Sequence, residues 1–193
     1  MLLTANSRDS VRLFQLPACV VPSYQRASFQ LPAPRAYFVV LARRKPLCRL
    51  STMPRASLTR TVTFAAAHRY RRPEWSEEKN QEVFGLCARE SFHGHSYVCD
   101  ITISGNIDPL TGFIVDLGAF DKILADEVKH RFDHRNINVD VAEFADGGLV
   151  PSGENLARFI FDRVRARLPD SVHVESVKIA EDQTLSATYR GGE

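Results

Sequence analysis

Residues 93–104 read HGHSYVCDITIS. Ring-bearing and apolar side chains alternate here with small or polar ones, and this period of two is typical of a β-strand with one buried face. The predicted buried face carries His93, His95, Tyr97, Cys99, Ile101 and Ile103. The opposite face carries Ser96, Asp100, Thr102 and Ser104, with Val98 among them. Because residues two apart point to the same side of a strand, His93 and His95 are predicted to lie side by side.

A second alternating segment lies upstream and ends in another histidine: Val62, Phe64, Ala66 and His68. If the two strands pair, the three imidazoles converge on one point. Three histidines with an open fourth position form the ligand set of a catalytic zinc, whereas a structural zinc has four protein ligands. Cys87 is close enough in sequence to act as a base or nucleophile beside such a metal. Histidines on strands are also often half-buried polar residues, and spacing alone leaves both interpretations open.

Downstream of this strand the hydrophobic period changes to that of an α-helix. The apolar stripe of the first predicted helix, which ends near Phe132, consists of Leu117, Phe120, Leu124 and Val128. A polar loop follows at residues 133–136. A second helix is predicted from Ser152, an N-cap residue type, to Pro169. Two strands, over 172–181 and 184–190, close the chain.

The predicted order is therefore β-β-α-α-β-β, an α+β fold. Two helices can cover only one face of a four-stranded antiparallel sheet. The other face and the sheet edges would then be buried in an oligomer.

The first 52 residues differ in composition from the rest. They hold eight Arg or Lys and one Asp, a net charge of +7, so the remainder carries −5 of the chain's total of +2. A mildly acidic body does not favour nucleic acid as a partner. We interpret residues 1–52 as an N-terminal extension and 53–193 as the functional domain. The extension is a targeting-like segment, a disordered tail or, as we favour, the product of a mis-assigned start upstream of Met53.

The four cysteines, Cys19, Cys48, Cys87 and Cys99, contain no Cys-x-x-Cys pair and predict no disulfide framework. They fit a reducing compartment, so the expected location is the cytoplasm, with organelle targeting by residues 1–52 as the alternative. The apolar run at residues 36–42 is too short to span a bilayer, and no membrane partner is expected.

Several short motifs also carry a resemblance to a known family. In chain order they are FAAAHR (64–69), FGLC (84–87), HGHSY (93–97), IDP (107–109), TG (111–112), VDL (115–117), FDHRN (132–136), SGENLA (152–157), AE (180–181) and YRG (189–191). The body of the chain resembles the 6-pyruvoyl-tetrahydropterin synthase / 6-carboxytetrahydropterin synthase family. The resemblance implies the tunnelling fold (T-fold), in which three subunits, each with a four-stranded antiparallel sheet and two helices on one face, close a barrel. Two such trimers stack into a homohexamer.

The same resemblance implies the site residues. It assigns His68, His93 and His95 as ligands of one zinc per subunit. It assigns Cys87, Asp133 and His134 to a catalytic relay, the last two reaching over from a neighbouring subunit. Glu181 resembles the family's pterin anchor and Glu154 a second substrate contact. Without the resemblance, Asp133 and His134 would be interpreted as a helix-terminating cap. For Glu154, the roles of helix-dipole residue and substrate contact both stay open.

The implied activity is that of a zinc-dependent lyase in tetrahydrobiopterin biosynthesis. It converts 7,8-dihydroneopterin triphosphate, a small pterin substrate, to 6-pyruvoyl-tetrahydropterin with loss of triphosphate. The Cys-x5-His-Gly-His spacing favours this product, because carboxy-forming members typically have Cys-x3-His-Gly-His. The alternative is a 6-carboxytetrahydropterin synthase of queuosine biosynthesis, which releases acetaldehyde and triphosphate. A non-catalytic zinc- or pterin-binding module is a more remote alternative.

Overall fold

The computed structural model describes residues 53–145 and 147–192. The predicted extension, residues 1–52, lies outside the described residues. Within them, no helix is long and apolar enough to cross a membrane.

The elements of the described chain alternate between sheet and helix. They are β1 (Arg55–His68), α1 (Glu77–Phe84), a 3₁₀ turn (Gly85–Ala88), β2 (His93–Asn106), α2 (Leu117–Leu124), a π-helical segment (Ala125–Lys129), α3 (His130–Phe132), β3 (Arg135–Asn136), α4 (Ile137–Asp140), a 3₁₀ turn (Ala142–Phe144), α5 (Gly153–Arg165), β4 (Val172–Ala180) and β5 (Ser186–Tyr189). Both predicted helices and all four predicted strands are present in the predicted order, and the fold is α+β.

The sheet has five strands, in the order β3-β1-β2-β4-β5, rather than the predicted four. The four longer strands pair antiparallel, and the short β3 runs parallel to β1, with Ala66 opposite Arg135. A polar strand of two residues shows no alternation, so the sequence pattern could not reveal it.

The core lies between one face of the sheet and the helices. Tyr97, Cys99, Ile101 and Ile103 of β2 are fully buried, as their alternation predicts. The predicted helical stripe is correct except at its first member, because Leu117 opens α2 and is 37% exposed. Burial of these side chains stabilises the packing of the helices on the sheet.

The π-helical segment aligns the end of its helix with the sheet. Phe120, Leu124, Val128 and Phe132, spaced by four, are all buried. In a regular α-helix four residues turn about 400°, so a stripe with this spacing drifts by about 40° at each step. The wider turn of Ala125–Lys129 takes up this drift. Phe132 therefore stays in the core, and the chain leaves the helix beside β1.

Candidate active site

The pairing of β1 with β2 brings the three predicted histidines together. The register sets His68 opposite His93, and His95 follows on the same face. One ring nitrogen from each of the three lies within 4.8 Å of the others. The Nε2 atoms of His68 and His93 are 3.1 Å apart. The cluster could therefore hold a metal ion, as the sequence predicts.

His68 is oriented by partners on its other ring nitrogen. Its Nδ1 lies 3.0 Å from the carbonyl oxygen of Pro151 and 3.0 Å from the hydroxyl oxygen of Tyr97. A carbonyl can only accept, so Nδ1 carries the proton and Nε2 of the neutral ring keeps a lone pair. Burial lowers the pKa of His68 to about 4, and the neighbouring His93 and His95 add to this shift. The ring is therefore neutral, as a metal ligand must be, at neutral pH.

His95 gives an independent sign that a cation fits here. Its Nε2 is buried and has no hydrogen-bond partner among residues 53–145 and 147–192, whereas nearly all buried polar groups have one. The nearest acidic atom is Oε2 of Glu181, 3.9 Å away. A divalent ion bound by the three Nε2 atoms would satisfy this nitrogen, so the donor set fits a zinc site.

The loop before His93 ends in an unusual backbone conformation. Phe92 has a φ of 55°, in the left-handed region that few bulky residues adopt. The guanidinium of Arg69 lies over its ring, 5.3 Å from the centroid, and a cation–π contact of this kind stabilises the conformation. Arg69 directly follows His68, so this contact ties together the chain on either side of the histidine cluster.

Cys87 lies in the 3₁₀ turn that leads into this loop. It is half-buried and forms no disulfide with any described residue. Its carbonyl oxygen accepts a hydrogen bond of 2.8 Å from the backbone N–H of Tyr70, which holds the turn against the end of β1. Burial and the nearby charge of Glu181 raise the pKa of its thiol.

Asp133 and His134 form a hydrogen-bonded pair after α3. Oδ2 of Asp133 lies 3.1 Å from Nδ1 of His134 and 2.9 Å from Nζ of Lys129, while Oδ1 accepts from the backbone N–H of Ala65. Lys129, Ala65 and His134 together lower the pKa of Asp133 to about 2. With its Nδ1–H given to Asp133, His134 keeps Nε2 free to accept a proton.

The pair does not meet Cys87 within one subunit. His134 is 85% exposed, and among the described residues no hydrogen bond or ion pair joins the side chain of Cys87 to Asp133 or His134. The structure therefore assembles the histidines and Glu181 at one centre, and the Asp133–His134 pair lies on the surface near β1, where His134 and His95 line one open pocket.

Glu181 and Glu154 border a small cavity beside the histidines. The cavity has a volume of about 190 Å³, and it is lined by Tyr70, Ser152, Gly153, Glu154, Glu181, Leu185, Ser186 and Ala187. Glu181 is only 6% exposed and accepts a hydrogen bond of 3.0 Å from the hydroxyl of Tyr70. Glu154 is exposed, at the first turn of α5. His95 and Glu181 also line a larger open groove of about 950 Å³.

Sequence reasoning missed the residues that support these groups. Tyr70, Tyr97, Pro151 and Lys129 hydrogen-bond to predicted site residues, and of these four only Tyr97 lies within a sequence motif. The alternation of β2 placed Tyr97 on the same face as His93 and His95, but it did not predict the contact with His68.

Comparisons with known proteins agree with the sequence motifs. Residues 57–192 match the family model described as 6-pyruvoyl tetrahydropterin synthase. The chain is 38% identical over 143 residues to a 6-pyruvoyl tetrahydrobiopterin synthase of Drosophila melanogaster, covering 74% of this chain and 83% of that relative. It is 35% identical over 136 residues to the protein of the same name in Homo sapiens, covering 70% of this chain and 92% of that one.

The fold comparison leads to the same family. The structure of Caenorhabditis elegans 6-pyruvoyl tetrahydropterin synthase matches with a TM-score of 0.67 and 31% identity, covering 72% of this chain and 98% of that chain. This likeness confirms the predicted T-fold of the subunit. With its family model matched over most of its length, the chain belongs to the 6-pyruvoyl tetrahydropterin synthase family.

Proposed function

We propose that this chain is a zinc-dependent lyase that converts 7,8-dihydroneopterin triphosphate to 6-pyruvoyl-tetrahydropterin with loss of triphosphate. The observation that carries the proposal is the three-histidine cluster beside the buried carboxylate of Glu181, in a member of this family. A metal site and a pterin-binding carboxylate this close together are what the reaction requires.

His68, His93 and His95 would hold the zinc. The orphaned Nε2 of His95 and the neutral ring of His68 both support a cation at this place. Bound there, zinc supplies Lewis-acid polarisation of the side-chain oxygens of the substrate. Three ligands leave a position open for those oxygens, which separates this site from a structural one.

Glu181 would bind the pterin ring. A carboxylate can accept two parallel hydrogen bonds from the ring N–H and the adjacent exocyclic amine of a pterin. Its burial makes those bonds stronger than they would be at a wet surface. Glu154, at the rim of the same cavity, would provide the second contact.

Cys87 would take the proton from the side-chain carbon that carries a hydroxyl. Burial and Glu181 raise the pKa of this thiol, so it is mostly protonated at neutral pH and needs a proton acceptor before it can act as a base. His134, oriented by Asp133, would accept and pass on protons through its free Nε2. Loss of the triphosphate would follow removal of this proton.

The subunit would work as part of a homohexamer with its sites at subunit interfaces. The exposed Asp133–His134 pair, separate from Cys87 in one chain, supports a relay completed by a neighbour. Exposed apolar side chains support burial in an assembly, among them Leu86, Leu110, Phe113 and Leu185.

Product analysis tests the proposal directly. Zinc-loaded full-length protein is incubated with 7,8-dihydroneopterin triphosphate, and the products are identified by mass spectrometry. We expect a 6-pyruvoyl product and free triphosphate, both absent with Cys87→Ala. A 6-carboxy product with acetaldehyde would contradict the proposed product, and binding without turnover would contradict an enzymatic function.

A further inference from the structure

Tyr70 contacts three groups of the candidate site at once. Its backbone N–H donates to the carbonyl oxygen of Cys87 at 2.8 Å. Its ring meets that of His68 edge-on, with 5.0 Å between centroids. Its hydroxyl donates to Oε1 of Glu181 at 3.0 Å. Tyr70 therefore links the backbone at Cys87, the histidine cluster and the buried carboxylate.

The position of the Tyr70 ring is fixed by packing. The ring lies edge-on to Phe84 on one side and to His68 on the other, with centroid separations of 5.9 Å and 5.0 Å. Tyrosine has only two side-chain torsions, so two ring contacts and one backbone hydrogen bond leave its hydroxyl little freedom. The hydroxyl is therefore a rigid donor in the wall of the small cavity.

Glu181 needs such a donor if it is to hold a ring at a defined angle. The last torsion of a glutamate is broad, so a carboxylate without a fixed partner can rotate about its own axis. Among the described residues, Tyr70 is the only hydrogen-bond donor to this carboxylate. The bond uses one acceptor position on Oε1 and leaves the remaining positions on both oxygens for a ligand.

The surroundings leave room for a ligand beside the same carboxylate oxygen that accepts from Tyr70. A Cβ at Gly153 would lie 3.7 Å from Oε1 of Glu181 and 3.2 Å from Cβ of Ala187. Glycine at this position therefore keeps the wall of the cavity open beside the carboxylate. Oε2 faces Nε2 of His95 at 3.9 Å, so the orientation of the carboxylate is defined relative to the histidine cluster.

We propose that Tyr70 is a positioning residue for Glu181, and that its hydroxyl sets the angle at which a pterin ring is presented to the histidine cluster. The inference rests on the proposed function, because it takes Glu181 as the group that binds the pterin. A preorganised acceptor binds more tightly, since the ligand need not order it. Tyr70 acts through Glu181 and is not assigned a contact with the reacting atoms.

Equilibrium binding of biopterin, a fluorescent pterin without a phosphate chain, tests this role. With the zinc-loaded full-length protein, Tyr70→Phe should weaken binding by up to about tenfold, because the ligand must then immobilise the Glu181 side chain itself. In steady-state turnover the same variant should raise KM by a similar factor and change kcat less. Tyr189→Phe is the matched control, because it removes a hydroxyl from a tyrosine that packs on Phe161, away from the site, and should bind as the wild type does.

A double-mutant cycle decides whether the effect passes through Glu181. Glu181→Ala should weaken binding strongly, and adding Tyr70→Phe should then cost nothing further. Titration to high biopterin concentration keeps even a loss of about a thousandfold measurable (about 4 kcal/mol). The inference is wrong if the affinity of the double variant falls by the product of the two single-variant factors. It is also wrong if Tyr70→Phe alone binds biopterin as the wild type does.

Two further outcomes separate this inference from the proposed function. If wild-type protein binds no biopterin, or if Glu181→Ala binds it normally, the assignment of Glu181 as pterin anchor fails. If Tyr70→Phe loses zinc or unfolds at a lower temperature in proportion to its lost binding, Tyr70 acts through the fold or through His68, and the positioning role is overturned.

Discussion

Nδ1 of His68 lies 3.0 Å from the carbonyl oxygen of Pro151, the residue before the N-cap of α5. The bond joins the end of β1 to the start of a helix 83 positions later in the chain. It fixes the tautomer of His68 and leaves Nε2 directed at the other two histidines. The start of α5 also carries Gly153 and Glu154, so one connection aligns the histidine cluster with the cavity beside Glu181.

The metal assignment predicts different outcomes for substitutions at the histidines and at the thiol. His93→Ala removes one of three ligands and should release the zinc on dialysis, because two imidazoles bind it too weakly. Cys87→Ala should keep one zinc per subunit while losing activity by several orders of magnitude. Metal content is measured by inductively coupled plasma mass spectrometry.

His173→Ala is the matched control for the metal experiment. His173 is an exposed residue of β4, outside the cluster, and its loss should leave the zinc content unchanged. Loss of zinc from Cys87→Ala would show a closed four-ligand site, and retention by His93→Ala would contradict the three-histidine assignment.

Acid should destabilise the apoprotein through His68. The pKa of this ring is lowered from 6.5 to about 4 in the fold, so the unfolded chain binds more protons between these values. Stability therefore rises with pH across this window and falls as the pH drops from 6.5 towards 4, by at most about 3 kcal/mol from this one residue. Urea unfolding of zinc-free protein over this range measures the slope.

The pH prediction has a control in His68→Gln. That variant should lose stability at neutral pH but show a shallower dependence on acid, since the titrating ring is gone. His130→Gln, a change at an exposed position, should keep the wild-type slope. Equal slopes for wild type and His68→Gln would show that His68 is not the group responsible.

Subunit mixing tests whether the relay is completed by a neighbour. Cys87→Ala and His134→Ala homo-oligomers should each be inactive or nearly so. Co-expressed, they should recover activity, because a mixed assembly contains interfaces where an intact thiol meets an intact Asp133–His134 pair. Statistical assortment sets the recovery at about a quarter of the wild-type rate if each interface works alone. No recovery in verified mixed oligomers would place the relay within one chain.

The clustering of the three histidines was predictable because it follows from the pairing of two strands. Period-two alternation defined both strands, and the register that sets His68 opposite His93 is the one that buries Phe64 and Tyr97 on the same face. The short sequence motifs indicated the family. The resemblance to that family then implied the roles of Glu181 and of the Asp133–His134 pair.

The supporting contacts were not predictable, because they join residues far apart in sequence. The Tyr70 hydroxyl meets Glu181 across 111 positions, and Lys129 reaches the backbone oxygen of Thr63 across 66. Neither a tyrosine after a strand nor a lysine on a helix signals such a partner. The fifth strand was missed for a different reason, since its two polar residues pair only because the π-helical segment delivers the chain to the edge of β1.

The reactivity of Cys87 should respond to the charges around it. Burial and the carboxylate of Glu181 raise the pKa of the thiol, so removing that charge with Glu181→Gln lowers the pKa and increases the thiolate fraction near neutral pH. Alkylation of Cys87 by iodoacetamide should therefore be faster in Glu181→Gln by roughly two- to fivefold. Zinc loading should also accelerate alkylation in the wild type, because a nearby positive charge lowers the pKa of the thiol. Peptide mapping by mass spectrometry follows Cys87 separately, and the fully buried Cys99 should stay unmodified in every sample. If neither the substitution nor zinc changes the rate at Cys87, the thiol does not sense the site, and its assignment as the base beside the metal is wrong.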